Sequence, residues 1–527
     1  MIPLNWEFPH ASRRMPVLGR NVVATSQPLA AQAGIRMLLK GGNAVDAAVA
    51  TAIALTVVEP TMNGIGGDSF ALVWDGERLH GLNASGRSPA AWDFNRFSGF
   101  ERMPLSGWDA VTVPGAVSSW VELSARFGKL SFETLFEPAI HYARDGFPVS
   151  PITASLWRHA AEIYRDSPGF RTTFLLHGRA PRTGETFRCR EQARTLEMIA
   201  ETKGRAFYEG ELAEAITGYA KATGGLLTEE DLAMHRADWV EPLSVTYRGF
   251  NIHELPPNGQ GIAALIVMGI LSHWDMTADH PDSAQSLHLQ IEAMKLAFAD
   301  LYRYVSDPSS MELDYRKLIE PGYLSERAAL IDPERAGDFD HGTPPRGDTV
   351  YLTAADAGGV MVSFIQSNYT GFGSGIVVPG TGISLHNRGA CFTTQKGHPN
   401  QVEGSKRPLH TIIPAFVSRD GAPEMSFGVM GGPMQPQGHG QILVRIVDHG
   451  QNPQAASDAP RWQVLHGREV ALEQGFSHTV AEELKKRGHR VIMADQQWFG
   501  GAQIVLRLAD GYCAASDHRK DGQAVGF

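Results

Sequence analysis

The most regular alternation of apolar and polar positions lies just past the middle of the chain. Val350, Leu352 and Ala354 fall on one face, Tyr351 and Thr353 on the other, and a second strand-like run follows from Val360 to Ser367. Gly358-Gly359 separates the two runs, so the pair predicts a β-hairpin. Ahead of it, Pro344-Pro345-Arg346-Gly347 breaks any regular element. Upstream, the pattern has the helical period. Residues 28–58 predict two closely packed helices: Pro28 opens the first, Gly41-Gly42 stop it, and Asn43 caps the second. Residues 110–145 and 190–235 predict amphipathic helices, with Thr228-Glu-Glu-Asp231 as a cap signature. Residues 283–305 predict a long helix with Leu287, Ile291, Met294, Phe298 and Leu301 on its core face.

Residues 306–348, polar and rich in Pro, Gly and Asp, predict a linker. Beyond them the pattern predicts strands at 410–418, 424–430, 502–507 and 511–515, and helices at 438–449 and 478–487. The expectation is a helix-rich first half and a strand-rich second half. The turn Asn63-Gly-Ile-Gly-Gly-Asp68 resembles a phosphate cradle, but a helix precedes it and a strand follows, the reverse of a dinucleotide site.

The 527 residues, 43% apolar and 20% charged, are enough for a large core. Net charge is −10, and no basic run occurs, which argues against nucleic acid or an anionic membrane as partner. The longest apolar runs, Ala47–Val58 and Ile262–Leu271, are too short to span a bilayer, and the first twenty residues lack the apolar core of a secretory signal. Three scattered cysteines fit a reducing compartment. A cytoplasmic location is therefore expected. No histidine or cysteine spacing matches a metal-ligand motif, and neither metal nor cofactor is expected.

Candidate chemistry centres on Thr349. Cutting the chain before it would expose an α-amino group beside a threonine hydroxyl, which together make a nucleophile and its base. Downstream, Gly428-Val-Met-Gly-Gly-Pro-Met434 offers a Gly-Gly turn whose bare backbone could point two N–H groups at a developing oxyanion. An ordinary strand start and an ordinary tight turn are the alternatives.

These segments, with GGNAVDAAVATAIALTVVEP at 41–60, GIGGDSF at 64–70, TVPGAV at 112–117, GGLLTEEDL at 224–232, EAMKLAFAD at 292–300, GFGSGIVVPGTGI at 371–383, KRP at 406–408 and ASDHR at 515–519, resemble the γ-glutamyltransferase family of N-terminal-nucleophile hydrolases. The resemblance covers nearly the whole chain. It implies an α+β fold, a four-layer αββα sandwich. It also implies a precursor that cuts itself between Asp348 and Thr349 into an α subunit, residues 1–348, and a β subunit, residues 349–527, forming one intertwined unit. Thr349 would then attack an amide, with Ser367 supplying a nearby hydroxyl and Gly431 and Gly432 the oxyanion N–H groups. The assembly expected is the αβ unit, with a homodimer of such units as an option.

The recognition set departs from the γ-glutamyl pattern. Members specific for that group place an arginine four residues before a proline; counting back from Pro89 gives Ser85, with Arg87 two residues off. Positions that hold Asn, Gln, Asp and a Ser-Ser pair in those members hold Tyr369, Arg388, Cys391 and His410-Thr411 here. Arg87, Arg388, His386 and His410 would present donors to a carboxylate, with no evident acid for an amine. The expected substrate is a small amide with a carboxylate on its acyl part. Oxamate, as in purine breakdown, or a glutaryl side chain, as in cephalosporin acylases, would fit. The alternatives are a γ-glutamyl hydrolase or transferase, a structural salt-bridge role for Arg87 and Arg388, and an unprocessed, non-catalytic relative.

Overall fold

The fold is known from a computed structural model that describes residues 13–339 and 348–527. Two seven-stranded antiparallel sheets form its centre. One runs in the order Gln523–Gly526, Val22–Thr25, Asp348–Ala355, Met361–Tyr369, Asp68–Trp74, Leu79–Asn83, Asp238–Val240. The other runs Val17–Gly19, Gly511–Ser516, Gly501–Leu508, Ala422–Met430, Ala415–Arg419, Phe250–Glu254, Leu243–Tyr247. Each sheet thus mixes strands from before and after Thr349.

The sheets pack face to face. Thr353 Oγ1 meets Ser426 Oγ across the gap at 2.5 Å, and the Tyr351 ring lies against Gly428. A Cβ on Gly428 would come within 2.5 Å of that ring, so the strand carries glycine where the aromatic needs room. Helices Pro28–Leu39 and Ala44–Val58 share a hydrophobic core with the first sheet, and Gly261–Leu271, Ala284–Tyr304 and Met434–Leu443 belong to the core of the second. The result is a four-layer αββα sandwich, an α+β fold. Every residue of Ala44–Val58 is buried, which explains its small side chains all round. Asn43 caps it in a reciprocal box with Asp46, and Thr228 does the same with Asp231 for Glu229–Ala233. Among the described residues no helix is long and apolar enough to cross a membrane.

Three expectations change. The first half is not simply helix-rich, because short strands from residues 17–25, 68–83 and 238–254 complete both sheets. The stretch 308–328 folds into short helical turns and helix Pro321–Ala328, held by buried Leu318 and Leu324, so it is not a linker; residues 340–347 lie outside the described residues. Finally, 410–414 is not strand. His410 bridges to Gly259, and pairing in the sheet begins only at Ala415.

Candidate active site

The expected hairpin forms, with Met361–Tyr369 paired to Asp348–Ala355. Asp348 pairs with Tyr369 and Val350 with Gln366, so two residues, Ser367 and Asn368, oppose the single Thr349. This bulge re-aims side chains at the end of the ladder. Tyr369 completes the distortion at φ 77°, a conformation that bulky residues rarely adopt. As a consequence Ser367 Oγ lies 3.2 Å from Thr349 Oγ1. Ser367 Oγ also accepts the Tyr369 N–H at 2.7 Å, which fixes the serine rotamer. Both hydroxyls are fully buried.

A third group reaches Thr349 from a helix packed on the other sheet. Gln435, in the first turn of Met434–Leu443, points Nε2 at Thr349 Oγ1 at 3.4 Å while its Oε1 accepts the Ile413 N–H at 2.9 Å. Just before that helix, Gly431 and Gly432 have φ of 120° and 57°, values that favour glycine. The turn therefore sits where strand Ala422–Met430 ends and a helix N-terminus begins, which suits a developing negative charge. Gln260 Nε2 donates to Gly432 O at 2.8 Å and to Thr411 O, tying this turn to the substrate side of the site.

Beside Ser367, in register on the adjacent strand, stands Asp68. Its Oδ2 lies 2.8 Å from His410 Nε2, 3.1 Å from His386 Nδ1 and 3.4 Å from Arg388 Nε, and all four side chains are fully buried. Burial alone would raise the Asp68 carboxyl. The attraction of His386 and the hydrogen bonds of both imidazoles outweigh it and hold the group far below the usual carboxylate range. His410 Nδ1 accepts the Ile412 N–H, so its Nε2 carries the hydrogen given to Asp68. Burial, reinforced by the Arg388 charge, pushes His410 down to about 3, and it is neutral at physiological pH. His386 Nε2 lies 2.8 Å from the Thr112 carbonyl.

Arg388 turns from this acid toward the Tyr369 ring, with its guanidinium carbon 4.7 Å from the centroid, and donates from Nη1 to Thr411 Oγ1 at 2.7 Å. Nη1 also lies 3.6 Å from Cys391 Sγ, whose thiol burial pushes up. Tyr369, Cys391 and Thr411 line a cavity of about 490 Å³ together with Gln260 and the apolar side chains of Met103, Leu105, Val305, Phe392 and Leu409.

The structure therefore brings together Thr349, Ser367, Tyr369, His386, Arg388, Cys391, His410 and Thr411. It places Arg87 elsewhere. That guanidinium is half-exposed, pairs with Asp307 at 3.0 Å, and lines a separate cavity with His235 and Arg407. Proximity to Pro89 in sequence does not carry it to the site. The expected lack of an acid also needs correction, because Asp68 is at the centre of the donors. Its position in GIGGDSF, opening a buried strand, was the only sequence signal for it. Gln260 and Gln435 were likewise missed, although each stands within three residues of a glycine-rich turn.

The chain as a whole has close counterparts among known proteins. The family model described as gamma-glutamyltranspeptidase matches residues 30–527. The chain belongs to that family. It is 37% identical to a glutathione hydrolase-like proenzyme of Bacillus subtilis over 96% of this chain and 98% of that one. It is 36% identical to an oxamate amidohydrolase proenzyme of Klebsiella pneumoniae over 95% and 97%. Among solved structures, a cephalosporin acylase from Bacillus halodurans superimposes with a TM-score of 0.96 at 46% identity, covering 100% of this chain and 99% of that one. The chain is accordingly an amidohydrolase of the N-terminal-nucleophile class.

Proposed function

We propose that the chain cuts itself between Asp348 and Thr349 and then hydrolyses amides whose acyl part carries a carboxylate, with Arg388 as the carboxylate receptor. In the uncut chain the Thr349 hydroxyl oxygen adds to the Asp348 carbonyl carbon. The C–N bond breaks, the nitrogen takes the hydroxyl proton and becomes the Thr349 α-amine, and water hydrolyses the resulting ester. In turnover the α-amine takes the hydroxyl proton as Thr349 Oγ1 attacks the substrate carbonyl. That proton passes to the leaving amine, and water, or an acceptor amine, resolves the acyl-enzyme. Ser367 and Gln435 orient Thr349, and the Gly431-Gly432 turn receives the oxyanion.

The observation that carries the substrate class is Arg388. It is buried behind Tyr369, Cys391 and Thr411 of the cavity wall, and among the described residues its Nη2 has no hydrogen-bond acceptor. An arginine so placed matches a carboxylate, which supplies two acceptors in one plane. Oxamate is the smallest such substrate, and the Klebsiella relative carries that name; it goes with a cytoplasmic role in purine breakdown. A glutaryl amide fills more of the cavity. One observation favours a γ-glutamyl substrate instead: Asp68 Oδ1 is buried without a hydrogen-bond partner among the described residues and would accept an α-ammonium. Arg388, 3.4 Å from the same carboxylate, opposes that cation.

The test uses processed enzyme with three substrates: ammonia release from oxamate, and aniline release from glutaryl and γ-glutamyl anilides. Turnover of the first or second well above the third is expected; dominant γ-glutamyl turnover would overturn the reading. Thr349→Ala should run as a single band on a denaturing gel, where the unaltered protein gives two.

A further inference from the structure

Glu292 and Lys295, from the EAMKLAFAD stretch, take no part in the chemistry above. They lie on helix Ala284–Tyr304, both fully buried, with Lys295 Nζ 2.5 Å from Glu292 Oε1. A buried ion pair gains little stability over apolar side chains, so what it holds is informative. It holds one backbone residue from both sides. Glu292 Oε2 accepts the Gly337 N–H at 2.8 Å, and Lys295 Nζ donates to the Gly337 carbonyl at 2.8 Å. A Cβ on Gly337 would come within 2.5 Å of the Phe339 ring and 3.0 Å of Glu292 Oε2. The seat therefore fits glycine.

Neighbouring contacts grip the same strip of chain. His288 Nε2 lies 2.8 Å from the Asp332 carbonyl, and its Nδ1 meets His489 Nε2 at 2.8 Å. The Ala336 N–H donates to Arg487 O at 2.7 Å. Residues 332–337 are thus pinned between a helix that precedes Thr349 in sequence and a turn that follows it. His288, Glu292 and His489 bring ligand atoms within 4.8 Å of one another. Lys295 already supplies the cation there and the two imidazoles bond each other, so the cluster is read as a grip on backbone.

We infer that Glu292 and Lys295 are positioning residues for self-cleavage: they anchor the chain that leads into the Asp348–Thr349 bond. The inference rests on Thr349 being the nucleophile. Self-cleavage has no substrate to bind, so its rate depends on how often the scissile carbonyl meets the hydroxyl, and tethering the approach raises that frequency. Turnover of an external amide needs nothing from the strip. Cleavage rate and steady-state kinetics should therefore separate.

The decisive variant is Glu292→Met with Lys295→Met, which replaces the pair by apolar chains and leaves no orphan charge. Conversion of fresh precursor, followed on denaturing gels, is expected to slow by roughly tenfold or more. The fraction that does mature should keep the unaltered kcat and KM. Gly337→Ala, which keeps the ion pair but blocks its seat, should slow conversion likewise and covers the case in which the double variant does not fold. Conversion at the unaltered rate in either folded variant overturns the inference, and so does a matching loss of kcat in matured enzyme. Thr349→Ala runs beside them: cleavage in that variant would sink the nucleophile assignment instead.

Discussion

Arg388 donates to Thr411 Oγ1 at 2.7 Å through one terminal nitrogen, while the other, Nη2, is buried without an acceptor among the described residues. The first bond fixes the direction of the second. Arg388→Met should therefore lower kcat/KM for a carboxylate-bearing amide by roughly a hundredfold, the worth of a charge-assisted hydrogen bond of about 2–3 kcal/mol. The loss should lie mainly in KM. Arg388→Lys should recover only part of it, because an ammonium neither forks to a carboxylate nor stacks flat on the Tyr369 ring. Steady-state kinetics on matured enzyme check both. An unchanged KM in Arg388→Met would place the carboxylate elsewhere.

Ser367→Ala removes the hydroxyl 3.2 Å from Thr349 Oγ1 and leaves the bulge backbone in place. The expected result is a fall in kcat of roughly ten- to hundredfold, about 1–3 kcal/mol, with KM little changed. Precursor conversion should slow as well, since the same pair of hydroxyls serves both reactions. A normal kcat would show that the serine only buttresses the strand.

Gly428→Ala tests the packing between the sheets directly. The new Cβ would stand 2.5 Å from the Tyr351 ring, which bonds Ser363 through its hydroxyl at 2.6 Å and cannot swing away freely. Overpacking of this kind costs about 1–3 kcal/mol, visible as a lower melting temperature. A more stable variant would mean that the ring has room.

Which parts of this picture were legible in the chain depends on the range of the interaction. The Thr349 hairpin, the Asn43 and Thr228 caps and the Gly431-Gly432 turn are local, and alternation, capping residues and paired glycines announce each of them. The donors Tyr369, Arg388, Cys391, His410 and Thr411 could be named through family resemblance but not arranged. Asp68 illustrates why: its partners come from residues 386–410, and long-range contacts such as the Gly66–Leu385 bridge and the His386 N–H to the Gly66 carbonyl bring them together. Arg87 failed for the converse reason, since Asp307 and the Ser405 carbonyl compete for its guanidinium. Strands of three to five residues, such as Val17–Gly19 and Val22–Thr25, are too short for alternation to stand out, and the sheets that stabilise them are built from distant segments.

Acid should destabilise the protein well before Asp68 titrates. Burial holds His235 and His410 down to about 3 and His253 to about 4, whereas the lowered His439 is offset by its partner Glu254, whose carboxyl burial raises. In the unfolded chain each imidazole protonates near 6.5. Between those values the unfolded state binds more protons, so stability rises with pH across the window and is lost as pH falls through it. Each histidine accounts for at most about 2 kcal/mol between pH 7 and pH 5. Asp68, whose folded value is depressed, adds a further loss that begins only near pH 4, where its unfolded counterpart protonates. Denaturant unfolding measured from pH 7 to 4 should show this steady decline. A flat profile from pH 7 to 5 would contradict neutral burial of these rings.

Asp68→Asn separates the structural duty of the acid from the recognition duty of its partners. Removing one member of a buried charge cluster leaves Arg388 without its anion and should cost about 3–5 kcal/mol of stability. A ligand that brings its own carboxylate restores the balance. Oxalate or glutarate should therefore raise the melting temperature of Asp68→Asn by more than it raises that of the unaltered protein, because binding to the native state alone stabilises it in proportion to affinity. Asp68→Asn combined with Arg388→Met should lose this extra shift, since the cation that the ligand would neutralise is gone. Equal ligand shifts in the unaltered protein and in Asp68→Asn would mean that the guanidinium and the ligand carboxylate do not meet.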